Sequence, residues 1–156
     1  MNDKNLRKDL IELLRGGSAH VSIKKALSDI NPDLRNFRPE PKVHSIYEEL
    51  EHMRIAQEDI YRYVVDEDWE SPEWPDEFWP DNNNHLNEVI WENTYNRFFN
   101  DLEKIIELVK DESIDLTSKI PHGEGHTYLR EILLVADHNS YHIGKIIDNR
   151  KTLGDW

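Results

Sequence analysis

Histidine offers the clearest chemistry in this sequence, because the chain has eight histidines and no cysteine. Two pairs are spaced four residues apart, His122/His126 and His138/His142. The second pair lies in a segment with helical periodicity, where four residues advance the chain by about 1.1 turns, so both imidazoles project from one face. Two inward-facing neutral imidazoles need partners, since an unsatisfied buried polar group costs about 1–3 kcal/mol. A metal ion is one such partner, and a carbonyl or carboxylate is another.

A third metal ligand would have to come from another helix, leaving positions open for water or substrate. His52 is the favoured candidate, only slightly ahead of His44 and His85, because a helical wheel places it beside an apolar stripe and not in its centre. The His122/His126 pair is the weaker one, since glycines at 123 and 125 place it in a predicted loop where spacing does not fix geometry.

Several other functional classes are disfavoured by composition and motifs. Without cysteine there is no disulfide framework, thiolate zinc site, iron–sulfur cluster or cysteine nucleophile. Glu49-Leu-Glu-His52 is the sole Glu-x-x-His motif, whereas a di-iron carboxylate bundle needs two, and there is no H-E-x-x-H. A net charge of −13 argues against nucleic-acid binding. The chain lacks an apolar run of about 20 residues, and its first residues lack a secretory signal, which predicts a cytoplasmic protein that does not enter membranes.

The elements that must position these histidines are helices. Apolar residues recur at helical spacing in residues 6–30, 45–65, 84–108 and 127–154. The first segment contains Gly16-Gly17, and whether it is one kinked helix or two stays open. The spacing of Ser45 and Glu48 predicts a capping box, and Thr127 is predicted to be the N-cap of the last helix. The pattern predicts an all-α fold, a four-helix bundle with long connections, as a single domain over residues 1–156.

An aromatic, proline-punctuated connection joins the second and third predicted helices. Four of the five tryptophans lie between Trp69 and Trp91. Aromatic residues are enriched at interface cores, so this connection is a candidate for docking a second copy or capping a pocket. It can equally bury its rings against its own bundle.

The chain resembles the DinB-like (DinB/YfiT) superfamily over nearly its whole length. Residues 127–144, TYLREILLVADHNSYHIG, resemble the C-terminal signature of that superfamily, together with Arg150 and the final LGDW. Residues 45–52, SIYEELEH, resemble its second-helix motif. Residues 14–20 and 71–80 match one subgroup.

The resemblance implies a helical bundle whose metal is held by three histidines, which map onto His52, His138 and His142. Members bind nickel, zinc or similar divalent ions, with iron and manganese as further candidates, and are often homodimers. They include thiol-dependent S-transferases and isomerases. Lys145 departs from the pattern, since glutamine is common there. On the wheel Lys145 lies close to His138, where a cation would weaken metal affinity or help hold an anionic substrate.

The predicted function is therefore that of a metal-dependent transferase or hydrolase acting on a small molecule. Because the chain has no cysteine, a sulfur nucleophile would arrive on an external thiol such as bacillithiol or glutathione. The alternative is a non-catalytic metal-binding or partner-binding bundle. Carboxylates near a ligand in sequence or on the wheel could orient an imidazole or be solvated surface charges: Glu49, Asp59, Glu131 and Asp137. Tyr141 could donate to a substrate oxygen or pack in the core, and no general acid or base is assigned.

Overall fold

The computed structural model describes residues 3–81 and 85–156, and within them the fold is all-α. The helices are α1 (Asp3–Arg15), α2 (Ile23–Ala26), α3 (Ile46–Val65), α4 (Glu88–Lys110) and α5 (Tyr128–Thr152). Short 3-10 turns lie at Pro32–Leu34 and Asp76–Phe78. Four main helices, α1, α3, α4 and α5, pack as a bundle in which α3 contacts both α4 and α5, which confirms the predicted fold class.

The first predicted helical segment is two separate helices. Gly16 and Gly17 have φ angles of +68° and +99°, in the left-handed region that side chains with a Cβ rarely adopt. The chain therefore turns there and restarts as α2, so the alternative of one kinked helix is wrong. The predicted start of the third helix, Asn84, lies outside the described residues. Within them α4 begins at Glu88, where the side chain of Asn87 accepts a hydrogen bond from the Ile90 amide.

The predicted capping box at the start of α3 is confirmed. The Ser45 hydroxyl accepts from the Glu48 amide at 3.2 Å, and the Glu48 carboxylate accepts from the Ser45 amide at 2.7 Å. Thr127 likewise caps α5 by accepting from the Arg130 amide. The box fixes the first turn of α3, so that Glu49 and His52 follow within two turns.

The core fills the space between α3, α4 and α5. Fully buried side chains come from each of the three helices: Leu50, Met53, Phe98, Ile106, Ile143 and Ile146. A buried polar link also crosses them, because the Asn139 amide donates to Gln57, which in turn donates to the carbonyl oxygen of Phe98. These contacts set the register in which the His52 turn of α3 faces α5.

The aromatic connection after α3 packs back on its own bundle. The Trp69 indole N–H donates to Asp59 at 2.8 Å, and the Trp79 ring stacks on His52. Within residues 3–81 and 85–156, none of the helices combines the length and the apolar character needed to span a lipid bilayer.

Candidate metal centre

Three histidines from two helices meet between α3 and α5. One ring nitrogen of each of His52, His138 and His142 lies within 4.8 Å of those of the other two. The Nε2 atoms of His52 and His138 are 3.2 Å apart. The ring centroid of His142 lies 4.6 Å from that of His52 and 4.4 Å from that of His138. His52 and His142 are buried and His138 is half-buried, and the cluster could hold a metal ion.

Two of the three rings are oriented from behind by fixed hydrogen-bond acceptors. The Nδ1 atom of His52 lies 2.8 Å from the carbonyl oxygen of Phe78, and that of His142 lies 2.6 Å from Glu49 Oε2. Since a carbonyl or carboxylate oxygen accepts, each Nδ1 carries the proton and each Nε2 keeps a lone pair. A metal-binding histidine is typically held in this way.

The spacing of the ring nitrogens suits a shared ion. Two nitrogens each about 2.0–2.1 Å from one ion, at angles of about 90–110°, lie about 3.0–3.4 Å apart. The 3.2 Å between His52 and His138 falls in that range. The same distance suits a hydrogen bond donated by His138 to His52, so this pair alone does not distinguish a metal site from a hydrogen bond. The third ring favours a metal, because a ring nitrogen of His142 also lies within 4.8 Å of those of His52 and His138, and a hydrogen bond between two rings does not account for a third.

The environment of His52 and His138 favours the neutral form of their rings, which is the form that binds metal. Burial, and after it the positive charges that His142 and His52 would carry, lower the pKa of His138 to about 3. Burial also lowers the pKa of His52, although the hydrogen bond to Phe78 offsets part of the effect. Both rings are therefore neutral near pH 7.

Glu49 is a fully buried carboxylate behind the cluster. One oxygen accepts from His142, and the other lies 2.5 Å from Lys145 Nζ and 3.5 Å from His44 Nδ1. Burial alone would raise the pKa of Glu49, but the contacts with His142 and Lys145 outweigh burial and hold that pKa below its usual range. Glu49 is therefore an anion that links one histidine to one lysine.

Aromatic rings cover the cluster. Trp79 stacks on His52 with centroids 4.0 Å apart and planes 5° apart, and it also contacts His44 at 3.8 Å. Trp74 lies 6.3 Å from His52, and the edge of Tyr141 meets His142 at 4.9 Å. The alternative that Tyr141 packs in the core is wrong, because the residue is 65% exposed. Tyr141 and Trp74 lie at the rim.

The other candidate residues lie in different places. Asp59, seven residues after His52, accepts a hydrogen bond from the indole of Trp69. Asp137 is exposed. Glu131 is buried and pairs with Arg130 and His126. The rings of His122 and His126 take different partners, because His122 bonds to the carbonyl oxygen of Tyr63.

Three features around the cluster have no counterpart in the sequence-based prediction: the Phe78 carbonyl and the Trp79 ring, which contact His52, and His44, which lies beside Glu49. A backbone acceptor has no side-chain signature. The available signal for Trp79 was the density of tryptophan and proline in its segment, which predicted a pocket cap as one of several alternatives. His44 appeared there as a rival ligand only.

Comparison with known proteins identifies the family. The family model of the DinB superfamily matches residues 19–146. No curated protein matches the chain, and no solved structure does. The matched residues include all three clustered histidines and cover well over half of the sequence. The chain therefore belongs to the DinB superfamily.

Proposed function

We propose that this chain is a divalent-metal-dependent transferase or hydrolase that acts on a small-molecule substrate. The observation that carries the proposal is the cluster of His52, His138 and His142, with two rings oriented by Phe78 and Glu49. A divalent ion in this cluster, with nickel or zinc favoured over iron or manganese, supplies a Lewis acid that activates an external thiol or water.

The residues of the chain define what else such a reaction needs. With no cysteine, the sulfur of a transfer reaction comes from a small thiol such as bacillithiol or glutathione. The exposed rings of Trp74 and Tyr141 at the rim offer an apolar surface for the rest of a substrate. We place the protein in the cytoplasm, where such thiols are kept reduced.

Elemental analysis of tag-free protein tests the metal site. We expect stoichiometric metal in the wild type and loss of that metal in His52→Ala, His138→Ala and His142→Ala. His44→Ala is the matched control, because His44 contacts Glu49 and Trp79 but is outside the cluster. Circular dichroism checks that each variant is folded. Full metal content in folded His138→Ala and His142→Ala variants would refute the site.

An activity panel tests the reaction. Metal-loaded protein is assayed for conjugation of bacillithiol and glutathione to varied electrophiles, and for ester and amide hydrolysis. We expect one of these reactions to be accelerated and to be lost in His142→Ala. Stoichiometric metal without acceleration across a broad panel would favour the non-catalytic alternative.

That second candidate, a partner-binding bundle, has an observation of its own. Trp74 is 67% exposed beside His52, and Tyr141 is 65% exposed beside His142. Exposed aromatic residues are typical of the core of a protein interface. A homodimer through this surface would give a dimeric mass in light scattering that Trp74→Ala reduces. A monomer at high concentration would contradict it.

A further inference from the structure

The charge of the candidate metal centre depends on the pair of Glu49 and Lys145. The three imidazoles bind a metal in their neutral form and contribute no charge, and the buried Glu49 carboxylate contributes −1. A carboxylate behind a ligating histidine ordinarily raises the basicity of the ligand and offsets part of the charge of an ion. Here Lys145 Nζ lies 2.5 Å from Glu49 Oε1 and cancels that charge.

Lys145 is held in place by more than Glu49. Its Nζ lies 5.9 Å from the ring centroid of Trp79 and 5.6 Å from that of Tyr141, distances at which an ammonium is attracted to an aromatic face. The side chain is 34% exposed, so it lies between the buried carboxylate and the rim. The cation therefore lies on the side where Tyr141 and Trp79 flank the histidines.

We propose that Lys145, by cancelling the charge of Glu49, makes the three-histidine site selective for a singly charged anion of the thiolate or carboxylate class. This inference rests on the proposed function, because it assumes that the histidines hold a divalent ion. With Glu49 neutralised, the charges of the three histidines, Glu49 and Lys145 sum to zero. The full charge of the ion therefore attracts the ligand. A chain of net charge −13 otherwise repels anions, so the sign of the charge at the site decides whether an anion binds there.

Replacing Lys145 should change the affinity of the site for a metal cation and its affinity for an anion in opposite directions. In Lys145→Gln the charge of Glu49 is no longer cancelled, so the site attracts a metal cation more strongly and an anion less strongly. A lysine that served only to hold Glu49 in place would, when removed, loosen His142 and weaken both affinities. The two directions together separate an electrostatic role from a structural one.

The experiment uses cobalt(II)-loaded protein and azide as the anion probe. The azide dissociation constant is read from visible absorption, and the cobalt dissociation constant from competition with a chelating indicator. For Lys145→Gln we expect azide binding about tenfold weaker and cobalt binding about fivefold to tenfold tighter, the size expected for one partly screened charge. Lys145→Arg keeps the charge and should stay within about twofold of wild type. Lys151→Gln, an exposed lysine further along α5, is the matched control.

A double variant gives a second, independent test. Glu49→Gln with Lys145→Gln removes both charges, so the sum returns to zero and azide affinity should recover to within about twofold of wild type. Unchanged azide and cobalt constants in a metal-loaded Lys145→Gln variant would overturn the inference alone. So would weakening of both constants. Failure of the wild type to bind cobalt at the histidines would instead overturn the proposed function.

Discussion

At the scale of single residues, the carboxylate of Glu49 orients the ring of His142. It is fully buried, and its 2.6 Å contact with His142 Nδ1 leaves Nε2 as the free ring nitrogen. Burying an anion is unfavourable unless it is paired, and here His142 and Lys145 supply the partners. Glu49 is therefore placed to fix both the orientation and the basicity of a ligand.

Glu49→Gln should weaken metal affinity by about tenfold to a hundredfold. Glutamine keeps the size of the side chain and one acceptor oxygen, but it removes the charge and leaves the ammonium of Lys145 uncompensated. The measurement is the cobalt dissociation constant by competition with a chelating indicator. Glu51→Gln is the control, since Glu51 pairs with Arg54 and Thr94 and does not contact the histidines. Equal losses in the two variants would contradict a specific role for Glu49.

The ligand set could be predicted from sequence only in part. The spacing of His138 and His142 placed both rings on one face of α5, as observed. His52 depended on the family resemblance, because a helical wheel placed it beside the apolar stripe of α3. Its burial comes from Trp79 and the Phe78 carbonyl, which belong to a connection and not to a helix. Helical periodicity reports burial between helices, so it could not reveal this ring.

At the scale of elements, the first turn of α3 supports the site through its cap. Glu48 accepts from the Ser45 amide and forms an ion pair with Arg38. Burial alone would raise the pKa of Glu48, but the Arg38 and Ser45 contacts outweigh burial and hold it below its ordinary value of 4.5. A lowered folded-state pKa contributes stability that is present above the unfolded pKa and is lost as pH falls through the folded one.

Glu48→Gln should therefore destabilise the protein at pH 7 and much less at pH 3. We expect about 1–2 kcal/mol less free energy of unfolding at pH 7, because the charged contact with Arg38 is lost. Urea unfolding at the two pH values measures the difference. Glu107→Gln, which breaks an exposed pair with Lys110, should change stability by only a few tenths of a kcal/mol, about the size of a surface salt bridge. A Glu48→Gln deficit that stays constant down to pH 3 would contradict the argument.

The aromatic connection is the second element that forms the site. Trp79 stacks on His52, whereas Trp91 is buried in the core beneath Arg35. A paramagnetic ion at the histidines should quench the nearest indole most strongly. We expect cobalt(II) to lower tryptophan fluorescence, and Trp79→Phe to remove the largest share of that change. Trp91→Phe should leave the change intact. Undiminished quenching in Trp79→Phe would contradict the covering role of the connection.

Helix boundaries show what the sequence could and could not fix at this scale. The capping box at Ser45 and the cap at Thr127 could be predicted, because each depends on a local hydrogen bond between residues three apart. At Gly16-Gly17 the sequence predicted a kink or a break, without deciding between them. A glycine pair permits a left-handed turn, but the packing of Ile23 and Ala26 in the core makes α2 a separate helix.

At the scale of the whole molecule, the candidate ligands join distant parts of the chain. His52 comes from α3, His138 and His142 come from α5, and Phe78 of the aromatic connection holds His52. These groups converge only in the folded state. An ion bound there should stabilise the folded protein by mass action, by about 2.7 kcal/mol at a free concentration of one hundred times its dissociation constant.

Thermal unfolding should show this coupling directly. For a domain of this size, such a gain corresponds to a rise in Tm of about 5–10 °C, reversed by a chelator and absent in His138→Ala. The 32 acidic residues of the chain offer oxygen ligands elsewhere, so Mg²⁺ serves as the control ion. Zinc or nickel should raise Tm, whereas Mg²⁺ at the same concentration should not. An equal rise in folded His138→Ala would place the stabilising ion on the acidic surface and not between α3 and α5.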